Sequence, residues 1–390
     1  MIMKDLFLLD PEITFLNFGS FGACPKPIFR KYQEWQLELE KEPVQFIVNR
    51  AIIELERVRT DLGKYVGCGD KDIVMVTNPS YAINTIAKSF PFKKGDEILT
   101  SNLEYGACDR TWEYYCKKHE AKYIRQKITL PLISKELFIE EFWKGYTSKT
   151  KAIFLSQITS ATGLILPVRE ICEEAKQRGL ITIIDGAHVP GHIPLNLSLL
   201  NADIYTGACH KWLMGPKGSS FLYVHPDQQY WVDPLVISWG YKSDYPSESE
   251  FIDWHQTTGT RDYAAFLTVP ECIKFRQEKN WDDVSLTCRK IVLDNATIFC
   301  ELVNSKPLAP INDSFYGQMF SIPVNTPNPI LLQKHLYEKY RIEIPVAVQN
   351  GNSYLRYSIQ AFNSQEDLNI LYSALEEIVS EGQLLFNSGK

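Results

Sequence analysis

At 390 residues, 45% of them hydrophobic, the chain holds more than one core usually fills, so two domains are expected. Its 41 basic and 47 acidic residues, a formal net charge of -6, argue against the basic stripe that a nucleic-acid surface needs. Nine scattered cysteines without a C-x-x-C pair read as reduced thiols, acids at Asp5, Asp10 and Glu12 interrupt any signal-peptide core, and no uncharged run approaches the roughly 20 residues of a membrane helix, so a cytoplasmic protein without a membrane partner is expected.

The chain opens on an arm, residues 1–25, in which a short apolar strand meets closely spaced glycines and prolines, the punctuation of an ordered loop. Apolar spacing at Tyr32, Trp35 and Leu39 predicts a helix from Ile28 to the break at Pro43. A second, through Ile52, Leu55, Leu62 and Tyr65, ends at Gly67 and Gly69. A strand and helix rhythm follows, with strands at 73–76, 97–100, 123–125, 152–157 and 180–184 and helices at 81–90, 107–118 and 168–178. Such alternation implies a largely parallel, wound sheet, completed by short strands at 203–205 and 221–224. After an aromatic, proline-bearing region (231–254), the character changes. A long helical stretch from 266 to 300, strands at 316–323, 342–345 and 354–359, and helices at 331–340 and 367–379 read as a smaller α+β domain. Ser364 and Asp367 match a capping box for the last helix. The expected division is therefore an arm over 1–25, a large α/β domain over 26–265 and a small C-terminal domain over 266–390.

The stretch LITIIDGAHVPGHIPLNLSLLNADIYTGACHKWLMGPKG at 180–218 joins two apolar runs to chemically useful residues. The first run ends in Asp185, and the second leads into His210 and Lys211. Runs of this kind mark strands buried on both faces of a sheet, whose ligands sit at the carboxyl ends of the strands. Alone, Asp185 reads as a strand-end turn residue and Lys211 as a solvated charge. Together, with His188 and His210 beside them, they suit pyridoxal phosphate, which needs an acid near its ring nitrogen and an amine for its aldehyde. The segment Thr77-Asn78-Pro79-Ser80-Tyr81 follows a strand and opens a helix, the best phosphate cradle in the chain, although Asn and Ser suit any helix start. No G-x-G-x-x-G follows a strand, and GPKGSS at 215–220 lacks the spacing of a Walker loop.

The segments FLNFGSFGACP (15–25), EYGACDRTW (104–112), TSATGLILPV (159–168), DGAHVPG (185–191), CHKWLMGPKG (209–218), GTRDYAAF (259–266) and LRYSIQAFN (355–363) resemble, in order, those of class V, fold-type I pyridoxal-phosphate enzymes, isopenicillin N epimerase and its relatives most of all. The resemblance implies a large domain with a mostly parallel, seven-stranded-type sheet and a smaller α+β domain. It implies that Lys211 binds the cofactor aldehyde as a Schiff base, that Asp185 pairs with the ring nitrogen, and that His188 lies near the phenolic oxygen. Tyr105 would stack on the ring, and Ser80, Tyr81 and His210 would hold the phosphate. Thr258, Gly259 and Thr260 would reach the phosphate of the neighbouring subunit, so a homodimer with shared active sites is implied. Arg356 would take the substrate carboxylate. Asn17, Thr159, Ser160 and Thr162 would line the site.

Two departures narrow the chemistry. No cysteine lies between Glu301 and Arg356, where cysteine desulfurases of this class carry their nucleophile, and no second arginine offers itself to a dicarboxylate. The reading is thus an enzyme that abstracts the α-proton of a small amino-acid substrate, giving epimerisation, with β-elimination by a carbon-sulfur lyase as the alternative. A metal-dependent hydrolase built on Asp185, His188 and His210 would leave Lys211 and the phosphate cradle idle, and no metal is expected. A non-catalytic pseudoenzyme would have no use for lysine, acid and arginine together.

Overall fold

The computed structural model describes residues 3–386, so the first two positions of the expected arm and the last four of the expected C-terminal domain lie outside the described residues. Twelve strands carry the described chain: β1 (Thr14–Phe15), β2 (Ile73–Val76), β3 (Glu97–Ser101), β4 (Lys122–Gln126), β5 (Thr150–Ser156), β6 (Ile181–Asp185), β7 (Ile204–Ala208), β8 (Ser220–Val224), β9 (Met319–Val324), β10 (Ile342–Glu343), β11 (Val346–Gln349) and β12 (Asn352–Ser358). Seven of them form one sheet in the order β2-β8-β7-β6-β5-β3-β4. β8 alone runs against its neighbours, and the other six point the same way, as the alternating strands and helices predict.

This sheet is buried on both faces because its strands are apolar without alternation. Ile153 and Leu155 pack into one core cluster and Ala152 and Phe154 into another, and Ile184 and Ile183 divide in the same way. The helices Pro79–Ser89 and Gly106–Lys118 contribute Ile83, Ile86, Cys108 and Trp112 to the second cluster. The edge strand β4, by contrast, is only partly covered.

A separate antiparallel sheet, β11-β12-β9, follows in the C-terminal third, and β1 pairs in parallel with β10. The expected strand 342–345 is therefore two strands serving two sheets, parted at Pro345, which lacks an N-H for a ladder. The expected helix over 266–300 is three, Ala264–Leu267, Val269–Glu278 and Trp281–Leu302. Pro270 sits in a first turn and Asn280 adopts a left-handed φ of 46°. Helices at Lys135–Trp143 and Glu250–Gln256 were not expected. The capping box of Ser364 and Asp367 is present, both of its bonds being formed. Among the described residues, no helix is long and apolar enough to cross a membrane.

The N-terminal arm ties these parts together. Leu16 O accepts from Ser358 N at 2.8 Å, and Asn363 Nδ2 donates to Phe15 O at 3.0 Å. Gly22 lies flat on the backbone of His210 and Lys211: with φ at +65°, a Cβ there would meet His210 O at 2.2 Å. The first twenty-odd residues thus reach the loop between β7 and β8.

Candidate active site

Because β2, β3, β5, β6 and β7 run the same way, their carboxyl ends share one edge, and a cavity of about 440 Å³ opens there. Thr77 to Ser80 follow β2, Tyr105 follows β3, Ser156 ends β5, Asp185 ends β6 and Lys211 follows β7. All of them line this cavity with Ser160, His188 and His210. The remaining expected residues, Tyr81 and Arg356 among them, do not line it. Thr159 is fully buried, its hydroxyl taken by Thr162 at 2.6 Å and by Leu164 N at 2.9 Å. Asn17 accepts from Ser20 Oγ at 2.5 Å, and Thr258, Gly259 and Thr260 do not line the cavity of their own chain.

The protonation of the centre follows from one donor. Trp212 Nε1 can only donate, and it faces His188 Nδ1 at 3.4 Å, so Nδ1 accepts and the neutral imidazole carries its proton on Nε2. That Nε2 lies 3.1 Å from Lys211 Nζ, a contact in which the uncharged amine would accept. The pKa shifts bring that uncharged form within reach of neutral pH, where the ammonium still predominates. Burial, and then Arg356, push the Lys211 ammonium down to about 8, and burial and then Lys211 hold His188 well below its ordinary value. Capture of an aldehyde by Lys211 in the cofactor-free protein is therefore expected to accelerate with pH and level off above about 8, since the neutral amine attacks. Stopped-flow absorbance checks this, and a rate still climbing above about pH 10, the range of an unperturbed lysine, would contradict it.

Asp185, 3% exposed, accepts from Ala187 N at 2.9 Å, and its other oxygen faces Cys108 Sγ at 3.5 Å. Desolvation raises its carboxyl, opposed by the Ala187 N-H and by Lys211. Behind it lies an acid that the sequence did not single out. Glu104 accepts from Ser101 Oγ, from Ser156 N at 2.8 Å and from Ser156 Oγ at 2.6 Å, and burial raises its carboxyl to about 7. A raised carboxyl favours the neutral form, so its contribution is lost as pH climbs from 4.5 through about 7. Glu104→Gln, which mimics the protonated acid, should gain stability relative to the native chain by on the order of 3 kcal/mol between about pH 5 and 8. Thermal melts at the two pH values test this, and a constant difference would refute it.

Arg356, on β12, is 4% exposed, yet its partners are neutral: Ser160 O, and Ser20 Oγ at 3.0 Å. Its Nε has none, and among the described residues no carboxylate lies within ion-pair distance. The hairpin that carries it is moored to the loop before Tyr105, since Gln349 Nε2 donates to Glu104 O at 2.9 Å and Asn350 Nδ2 to Asn102 O at 2.8 Å. Asp185, His188 and His210 form no metal cage, for among the described residues no three His, Cys, Asp or Glu side chains group closely enough to hold an ion.

Residues 26–371 match the family model described as aminotransferase class-V. The chain belongs to that family. The isopenicillin N epimerase of Streptomyces clavuligerus is 30% identical over 387 residues, spanning 96% of this chain and 97% of that protein. Hercynylcysteine sulfoxide lyase of Schizosaccharomyces pombe is 25% identical over 390 residues and 97% of each chain. The apo structure of a cysteine desulfurase from Thermococcus onnurineus NA1 superposes with a TM-score of 0.82 at 20% identity, covering 98% and 99% of the two chains, a likeness of fold. The cofactor of this class-V chain is pyridoxal 5'-phosphate. The donor set suits it: a lysine amine that burial lowers to about 8, a buried acid lining the same cavity, and the start of an eleven-residue helix where Pro79 has no N-H and Asn78 caps only Tyr81 N.

Proposed function

We propose that this class-V enzyme removes the α-proton of an amino acid and returns it on the opposite face, as an isopenicillin N epimerase-like epimerase. The observation that carries this reading is the buried Lys211 amine, 3.1 Å from His188 Nε2 and sharing a cavity with Asp185. Pyridoxal phosphate supplies an aldehyde for that amine and a ring that accepts the electron pair left at Cα. Asp185 would keep the ring nitrogen protonated, and His188 would donate from Nε2 to the phenolic oxygen. Ser80, Tyr81 and His210 hold the phosphate, with Thr258, Gly259 and Thr260 of a second subunit, so the enzyme acts as a homodimer, in the cytoplasm. Thr159 and Ser160 shape the ring's surroundings, and Asn17 holds Ser20 against Arg356.

Arg356 grips the substrate carboxylate with donors that its neutral neighbours leave underused. Lys211, once the amine of the substrate has taken its place on the aldehyde, would then take the α-proton as the general base. Tyr105, 46% exposed and lining the cavity, would stack on the ring and return a proton from the other side. The second reading, a carbon-sulfur lyase, needs Lys211 alone, and the likeness to the sulfoxide lyase favours it. Incubating the holoenzyme with amino acids and cysteine conjugates in deuterated water separates the two. Exchange with racemisation supports the epimerase, pyruvate and ammonia support the lyase, and neither with any substrate would overturn both.

A further inference from the structure

A second cavity, of about 350 Å³, adjoins the first, and Phe21 and Lys217 line both. Its wall is otherwise mostly apolar, with Leu8, Leu9, Phe15 and Phe29 on it. Lys217 is its one cation and Glu343 its one acid. The Lys217 ammonium donates to Gly22 O at 3.1 Å and makes no ion pair among the described residues, so of its three N-H donors two are unclaimed. Glu343 is no counter-ion to it, and desolvation raises that carboxyl. Phe21, 69% exposed, stands between the cavities at the end of the short turn Phe18–Phe21.

The proposed chemistry accounts for Lys211, Asp185 and Arg356 but leaves Lys217 without a task. The first cavity must already hold the cofactor and the α-carbon of a substrate, so a side chain of any length needs further room. The second cavity offers that room, with mostly apolar walls and the Lys217 ammonium on the wall that it shares with the first. We infer that the second cavity receives the side chain of the amino-acid substrate, and that Lys217 pairs with a carboxylate carried on that side chain. This inference rests on the reading of the first cavity as an amino-acid site.

The test compares two probes of similar length and opposite charge, S-carboxymethyl-L-cysteine and S-aminoethyl-L-cysteine, on the holoenzyme, with S-methyl-L-cysteine as a neutral reference. The concentration dependence of the change in the cofactor's visible absorption reports binding without requiring turnover. The native enzyme is expected to favour the carboxymethyl probe by about tenfold or more, as one charge-assisted hydrogen bond implies. Lys217→Met should bring the two probes towards parity, and Lys217→Glu should invert the preference. The ratio within each variant cancels any general damage. A response to S-methyl-L-cysteine without charge preference, or a native preference for the aminoethyl probe, would overturn the role of Lys217 while leaving the amino-acid site standing. Loss of cofactor from both variants would make Lys217 a phosphate ligand and overturn it as well. Silence towards all three probes would overturn the inference together with the reading beneath it.

Discussion

Lys211→Ala is expected to lower α-proton exchange of every amino-acid substrate by about 10⁴-fold, the upper end of what a positioned general base contributes. The loss is large because no neighbour can substitute. His188 presents an N-H rather than a lone pair to the site, and Asp185 stands at the end of β6 with its oxygens engaged by Ala187 N and Cys108 Sγ. The fold should be indifferent, since the Lys211 side chain makes its one hydrogen bond to His188. Two readouts check the expectation: proton exchange in deuterated water, and mass spectrometry after borohydride, which should add the cofactor to the native chain and not to the variant. Exchange retained within about tenfold would show that the base lies elsewhere.

Arg356→Ala is the second large effect. Two hydrogen bonds from a guanidinium to a carboxylate are worth about 3–5 kcal/mol together, so KM should rise roughly 10²- to 10³-fold with a smaller change in kcat. Arg356→Lys keeps the charge but not the fork and should fall between. Stability provides the diagnostic. Burial pushes the guanidinium down to about 10, and its partners are a carbonyl and a hydroxyl, so the native fold carries a charge that nothing in it neutralises. The alanine variant should therefore melt no lower than the native chain while losing affinity. A drop in melting temperature with unchanged KM would make Arg356 a structural residue instead.

The parts of this molecule that were legible in sequence are those whose cause is local. The runs at 152–156 and 181–185 had to be doubly buried strands, and the Asn-Pro-Ser start of the helix at 79–89 was readable as a helix start. The segment 342–349 was not read as two strands: Ile342 and Glu343 pair with Thr14 and Phe15 far back in the chain, which local composition does not record, whereas Val346 to Gln349 pair with the next strand across Asn350-Gly351, a local hairpin signal that was overlooked. The same limit applies to the site. Asp185, His188, His210 and Lys211 lie within one stretch and were found together. Ser20 meets Arg356 across 336 positions, and Glu104 meets Ser156 across 52. Their hydroxyls and carboxyls carry no spacing signal, and Lys217 passed as one more charge in a glycine-rich loop.

One connection reaches beyond the pocket. The strand that carries the guanidinium and the loop that bears Tyr105 are fastened by two amide side chains, Gln349 and Asn350, at the tip of a hairpin outside the cavity. The groups expected to flank a captured molecule from different sides are therefore tied through one short hairpin. Clipping either amide would leave both binding groups intact and yet uncouple their timing, turning a concerted grasp into two independent encounters.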